Sequence, residues 1–338
     1  MKKVLFILIG IGITTPALAS EEIFYQSFWG TAHRLNKAII EPWCKGMETA
    51  TAGKMVMHFN ALNTLVKPNA MPRAIKNGSL EAGGILLQTA SSMMPLSQLL
   101  SLPFLVQNAE EAAVMAWKML ETFPEIRAEA HAHFHILSVL GSDRYAFGSV
   151  KNPIRTPADL AGKRVLVWTP HQIEEIKAWG GIPVQISSSE TYMGLQRGLG
   201  EVAYVPFPAM QSDKLAEVVK FITPIPSRVL PLAIVINKEI WTNLPSEAKN
   251  YLNSTTGAHL GLRLGQALVN LSAEDVVRHT AIGCTFHELT HEEQAAFKQA
   301  AAAANQAYWG DMLRRNKVED PEGWIAKVEK LAGETFGR

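Results

Sequence analysis

An α/β fold built on mostly parallel sheets is expected of this chain on three counts. Short apolar runs typical of buried strands alternate with stretches of helical period along most of the sequence. Turn and cap signals fall at the junctions between them. The composition, 47% hydrophobic and 19% charged, suits a chain that buries a core, and 338 residues leave room for about two domains.

The elements follow in order. Ile23 to Ser27 reads as a first strand, and Arg34 to Ala50 as a helix with Ile40, Trp43 and Met47 on one face. Met55 to Phe59 is a strand. Asn69 to Asn77 is a short helix stopped by Gly78, a residue suited to the left-handed position after a helix. Leu80 to Leu86 is a strand, Glu110 to Phe123 a helix ended by Pro124, and Phe134 to Leu140 an apolar strand. Thr156-Pro157-Ala158-Asp159 is a capped turn, with a threonine cap, proline at the first position and an acid at the third. Arg164 to Val167, Val184 to Ser187 and Val202 to Val205 read as strands, separated by helices over 172–179 and 191–198. Leu232 to Ile236 is another strand. A long helix is expected from about Pro245 to His279, and further helices over 291–315 and 321–334. Two such sheets followed by a long helix are the layout of a two-lobed clamshell. Ligands of open α/β sheets sit beyond the carboxyl ends of the strands, so the cleft between the lobes is the expected site.

The amino terminus bears on location. Lys2 and Lys3 precede an apolar run from Val4 to Ile13, and Ala17-Leu18-Ala19 closes it. This is the pattern of a cleavable secretory signal over residues 1–19, and it predicts a periplasmic protein starting near Ser20. No cysteine stands at the expected cut, so no lipid anchor is expected there. Lys plus Arg number 32 and Asp plus Glu 31; this balance lacks the basic excess of a nucleic-acid binder. Cys44 and Cys284 are the two cysteines. An exported protein permits a disulfide between them, and two separate buried thiols fit equally well.

Several segments together resemble the solute-binding proteins of TRAP (tripartite ATP-independent periplasmic) transporters, the DctP type. They are Asn77-Gly78-Ser79-Leu80-Glu81, Leu102-Pro103-Phe104-Leu105, and Pro153-Ile154-Arg155-Thr156-Pro157-Ala158-Asp159-Leu160-Ala161-Gly162-Lys163. Glu190-Thr191-Tyr192 with Leu195-Gln196-Arg197-Gly198, and Ile236-Asn237-Lys238 with Trp241 and Leu244-Pro245, complete the set. Their order and spacing cover almost the whole mature chain. The resemblance implies a periplasmic-binding-protein clamshell with lobes assembled from discontinuous segments: 20–143 with 233–283, and 144–232 with 284–338. It implies capture of one small molecule and delivery to TRAP membrane permease subunits, a transient membrane-protein contact. No cofactor, metal or covalent chemistry is implied.

Departures from the family pattern shape the expected site. The family arginine that clamps a carboxylate falls four residues beyond Gly162, where this chain has Leu166, with Arg164 two residues earlier. A bidentate guanidinium is hard to replace in carboxylate recognition. Val205 stands where the family often places an asparagine before Pro206, and Ser188 where it often has an aromatic residue. Phe28, Trp29, Trp168, Tyr204 and Phe207 make the surroundings apolar. Arg144 matches a second family arginine, and Arg228 lies near the return crossing. Gln88 and Thr169 are counted with them. The expected ligand is therefore more apolar than the usual carboxylates, with at most one polar or anionic head. An ABC-type or sensor-coupled receptor and an apolar lipid or terpene carrier are the alternatives.

His287-Glu288-Leu289-Thr290-His291 spells the zinc-peptidase signature, and a zinc hydrolase using His287, Glu288 and His291 is the remote alternative. That chemistry needs both histidines on one continuous helix. Thr290 and Glu293 form a capping box, which predicts a helix start at Thr290 and leaves His287 outside it. His131, His133 and His135 alternate at an expected helix-to-strand junction, where exposed histidines need no metal.

Overall fold

The computed structural model describes residues 21–338. The signal-peptide reading of residues 1–19 lies outside the described residues. Strands β1 (Glu21–Gln26), β2 (Met55–Asn60), β3 (Ala82–Leu86) and β4 (His135–Gly141) alternate with helices α1 (Glu41–Ala50), α2 (Met71–Lys76), α3 (Ala109–Thr122) and α4 (Pro124–His133). Then come β5 (Tyr145–Ser149), β6 (Arg164–Val167), α5 (Pro170–Ala178), β7 (Ile182–Gln185), α6 (Ser188–Gln196), β8 (Val202–Pro206), α7 (Ala209–Ser212) and β9 (Phe221–Ile225). The chain returns through β10 (Pro231–Ile236) to α8 (Lys238–Asn243), α9 (Ser246–Thr255), α10 (Ala258–Ala281), β11 (Thr285–Phe286), α11 (His291–Arg315) and α12 (Pro321–Phe336).

The strands form two sheets, β2-β1-β3-β10-β4 and β11-β9-β5-β8-β6-β7. Each is parallel except for one strand: β10 runs antiparallel to β3 and β4, and β5 to β8 and β9. These two strands are the ones that follow a strand of the other sheet directly, with no helix between. Residues 142–144 alone join β4 to β5, so the end of β4 lies close to the start of β5. Tyr145 is in register with Pro206 and Ile225, the last residues of β8 and β9. On the return, Pro231 is in register with Gly141 and Leu232 with Leu86, the ends of β4 and β3. The carboxyl ends of the parallel strands in the two sheets therefore face one another across the junction. The two crossings are tied together where Ser142 N donates to Leu230 O and Leu230 N to Ser142 Oγ, each at 2.9 Å.

Each sheet is covered on both faces. The first carries a core of Met71, Leu99, Met115 and Phe134 on one side. Ile40, Met47, Leu252 and Leu264 lie on the other. The second packs Phe147, Trp179 and Phe297 on one face, and Leu166, Val205 and Met210 on the other. Helix α10 packs against α3 and β4 and reaches β11; α11 packs on α5, while α12 packs on α3. Trp324 and Val328 of α12 enter the first sheet's core.

Three helical segments illustrate how the structure departs from expectation. The long helix over 245–279 is two helices, α9 and α10, broken at Thr256–Gly257, where Gly257 takes φ +77°. Pro124 ends α3 by starting α4, since proline fits the first turn of a helix. Helix α1 is entered through a wider π turn over Asn36–Ile40.

Candidate functional site

A cavity of about 370 Å³ opens where the crossings meet α10. Asp143 and Arg144 of the first crossing, Phe207 just after β8, and Gln107 and Asn108 at the start of α3 line it. Helix α10 contributes Val269, Ser272, Ala273 and Val276, which recur at helical spacing on one face, and Glu288 precedes α11. Both sheets therefore contribute to its wall. A second cavity, about 300 Å³, lies between α11, α12 and the Leu102–Pro103 turn. None of the expected ligand-binding residues lines it.

The polar groups of the first cavity are ordered unequally. Asp143 is 2% exposed; it accepts from Ser272 Oγ and from the Arg144 backbone N–H at 2.9 Å. Burial pushes its carboxyl up, against the pull of the Ser272 hydrogen bond and the neighbouring guanidinium. Arg144 Nη2 donates to Glu288 Oε1 at 2.8 Å, the one side-chain bond of this guanidinium among the described residues. The two side chains are 26% and 58% exposed. The cavity thus presents a half-buried guanidinium beside an apolar wall of Phe207, Val269, Ala273 and Val276.

The other expected residues do not join it. Leu166 is wholly buried on the helix-facing side of β6. Its Cδ2 and Cγ lie 2.6 Å from where a Cβ on Gly200 would stand, and its Cδ1 3.0 Å from one on Gly194. It is a core residue, which corrects its reading as a ligand-facing replacement for an arginine clamp. Arg164, on the same side, donates to Gly198 O at 2.9 Å and is exposed. Val205 lies in the same core as Leu166. Phe28 is buried with its ring against Gly84, where a Cβ would meet Cδ1 at 2.1 Å. Trp29 is half-buried and stacks on His33 at 4.3 Å. Trp168 Nε1 donates to Thr191 Oγ1 at 2.8 Å, and Thr169 caps α5 with Gln172. Ser188 is exposed at the start of α6, and Gln88 is exposed in a 3-10 turn after β3.

Tyr204 and Arg228 belong to a buried polar cluster beneath α11. Tyr204 OH donates to Glu175 Oε2 at 3.0 Å and shares a hydrogen bond with Ser227 Oγ. Arg228 Nη1 lies 2.8 Å from His171 Nδ1. Arginine only donates, so Nδ1 accepts and the imidazole proton sits on Nε2, toward Asn305 Oδ1 at 3.1 Å. Burial and then Arg228 hold His171 well below its ordinary pKa. Burial raises Glu175 to about 7, opposed by Arg228 and the Tyr204 bond. Arg228 spans the return crossing between sheets and is 6% exposed. It is bonded within this cluster and does not line the cavity.

Sequence reasoning missed Asp143, Ser272 and Glu288. The α10 face was readable from its period. Glu288 was read only as part of the zinc signature. His287 lies before α11 and bonds Glu293 at 3.0 Å, while His291 is the first residue of α11. Among the described residues no group of three metal-ligating side chains converges. No helix among them is long and apolar enough to cross a membrane.

Residues 25–311 match the family described as bacterial extracellular solute-binding protein, family 7 (DctP). The chain is 21% identical over 301 residues to a solute-binding protein of Chromohalobacter salexigens, covering 88% of this chain and 79% of that protein. A TRAP periplasmic solute-binding protein of Desulfovibrio salexigens shares the fold with TM-score 0.82 and 21% identity, over 95% of this chain and 98% of that one. A marine metagenome TRAP solute-binding protein specific for aromatic acid ligands shares it with TM-score 0.81 and 18% identity, over 93% and 99%.

Proposed function

The chain belongs to the DctP family, family 7 of the bacterial extracellular solute-binding proteins, and on that premise we propose that it encloses one small organic monocarboxylate between two lobes and hands it to TRAP membrane permease subunits. It is a receptor and not an enzyme. The lobes follow the two sheets, with residues 142–144 and 226–230 as the hinge and α12 allotted to the first lobe, on whose core it packs.

The observation that carries the ligand class is the half-buried Arg144 beside Phe207, Val269, Ala273 and Val276. A guanidinium holds a carboxylate by two parallel hydrogen bonds, and the apolar wall takes the rest of the molecule. The apolar reading therefore rests on this wall and no longer on Leu166. A pure hydrocarbon cargo fits less well, because it would displace water from Asp143, Arg144 and Glu288 and offer them no hydrogen bond in return. Aromatic acids are the ligands of one protein of the same fold, and a benzoate-sized acid suits a cavity of about 370 Å³.

Calorimetry with benzoate, 3-hydroxybenzoate, phenylacetate, succinate and glucuronate tests this reading. The aromatic monocarboxylates are expected to bind. Arg144→Ala is expected to weaken them at least about thirtyfold, the effect of leaving a closed-in charge without its partner. Binding of succinate alone, or full benzoate affinity in the variant, would end the reading. Ligand-dependent uptake that requires TRAP permease genes distinguishes this carrier from an ABC-type or sensor-coupled receptor.

A further inference from the structure

We propose that Glu288 is a tethered competitor for the Arg144 guanidinium, and that with Asp143 it restricts the site to monoanions. The inference rests on the reading of Arg144 as the ligand's anchor. Two carboxylates line the cavity with this one guanidinium, Glu288 bonded to it and Asp143 bonded to the Arg144 backbone, and they differ in freedom. Asp143 is held by Ser272 Oγ and by the backbone N–H of Arg144, and is buried. Glu288 makes its 2.8 Å bond to Nη2 from a side chain that is 58% exposed.

The backbone on both sides of Glu288 is pinned. His287 N donates to Ile222 O at 3.0 Å, Leu289 is buried in the second sheet's core, and Thr290 caps α11. Only the Glu288 side chain is free to leave. It therefore holds the guanidinium until a ligand carboxylate arrives and then swings into solvent, while Asp143 stays.

Two consequences follow. The incoming carboxylate exchanges for Glu288, so the binding energy observed is the difference between two ion pairs. An exposed pair of this kind is weak, so the competitor lowers ligand affinity by only about two- to sixfold. Among the described residues Arg144 is the one cation lining the cavity, so a second carboxylate on the ligand finds no further cation there and faces Asp143 and the displaced Glu288. Like charges at short range discriminate strongly against a wrong partner. The two acids thus favour a ligand with one negative charge.

The test compares wild type, Glu288→Gln and Arg144→Ala as full mature chains by calorimetry, with benzoate, 3-hydroxybenzoate, phenylacetate, succinate and the uncharged benzamide. Circular dichroism checks that each variant is folded. Glu288→Gln is expected to bind the monocarboxylates about two- to sixfold more tightly, with a gain that shrinks as salt rises, and to leave benzamide unchanged. It is also expected to narrow the gap between benzoate and succinate. Unchanged or weaker monocarboxylate binding by Glu288→Gln, an equal gain for benzamide, or no binding of any of these acids by Glu288→Gln overturns the inference. Monocarboxylates bound through Arg144 with no effect of Glu288→Gln would sink the competitor alone, whereas full affinity in Arg144→Ala would sink the anchor reading itself.

Discussion

Leu166 and Arg144 show how much a single position depends on what surrounds it. Residues 164 and 166 share one side of β6 by alternation, which is readable from sequence. That this side meets α6 is not, because strand alternation distinguishes two faces without saying what covers either. Leu166 fills the space left by Gly194 and Gly200. Introducing a cation there buries an unpaired charge. Leu166→Arg is thus expected to cost about 3–5 kcal/mol in chemical denaturation and to confer no new acid binding. Gly200→Ala, pressing on the same enclosed side chain, is expected to cost about 1–3 kcal/mol. A Leu166→Arg variant of native stability that gained dicarboxylate affinity would reverse the assignment of this residue to the core.

At the scale of elements, caps were read more faithfully than strands. The Thr156–Asp159 and Thr290–Glu293 boxes stand as their spacing predicted. Thr290 Oγ1 accepts from Glu293 N at 3.2 Å, and the Glu293 carboxylate accepts from Thr290 N at 2.8 Å. Thr290→Ala is expected to lower stability by about 1 kcal/mol in urea titration, with no change in bound zinc. Strands β5 and β9 escaped the sequence reading. Gly148 weakens the β5 signal, and Pro224 argues against a central strand at β9. The register explains the tolerance of Pro224. Strand β11 covers only Phe221 and Ile222, so Pro224 lies on the part of β9 with one partner strand.

For the molecule as a whole, titration and thiol state offer two further checks. Burial raises Glu129 to about 7 from an ordinary 4.5, although Ser97 Oγ and the Leu96 and Ser97 backbone N–H groups all favour its charge. A raised acid contributes stability that is present below about 4.5 and lost as pH rises through about 7. His33 runs the other way: burial, then Arg34, lowers it to about 4, so its contribution is present above 6.5 and lost as pH falls toward 4. Glu129→Gln is therefore expected to gain stability relative to wild type as pH rises from 4.5 to 7, read as the difference in Tm across that window. Cys44 and Cys284 are both buried and unpaired, in cores on different sheets. Both are expected to react with a thiol reagent only after denaturation, and a native disulfide seen by mass spectrometry would contradict the fold.

The α/β class, the family and the starts of α3, α11 and α12 were legible in the chain because each rests on residues within a few positions of one another: a cap, a period, a short ordered motif. The pairing of Arg144 with Glu288, the sealing of Leu166 beneath α6 and the burial of Arg228 under α11 were not. Each joins elements far apart in the chain, and side-chain periodicity carries no record of which distant element a face will meet. Where the two sheets lie, and therefore which charges share a cavity, is set by long-range packing around the two crossings.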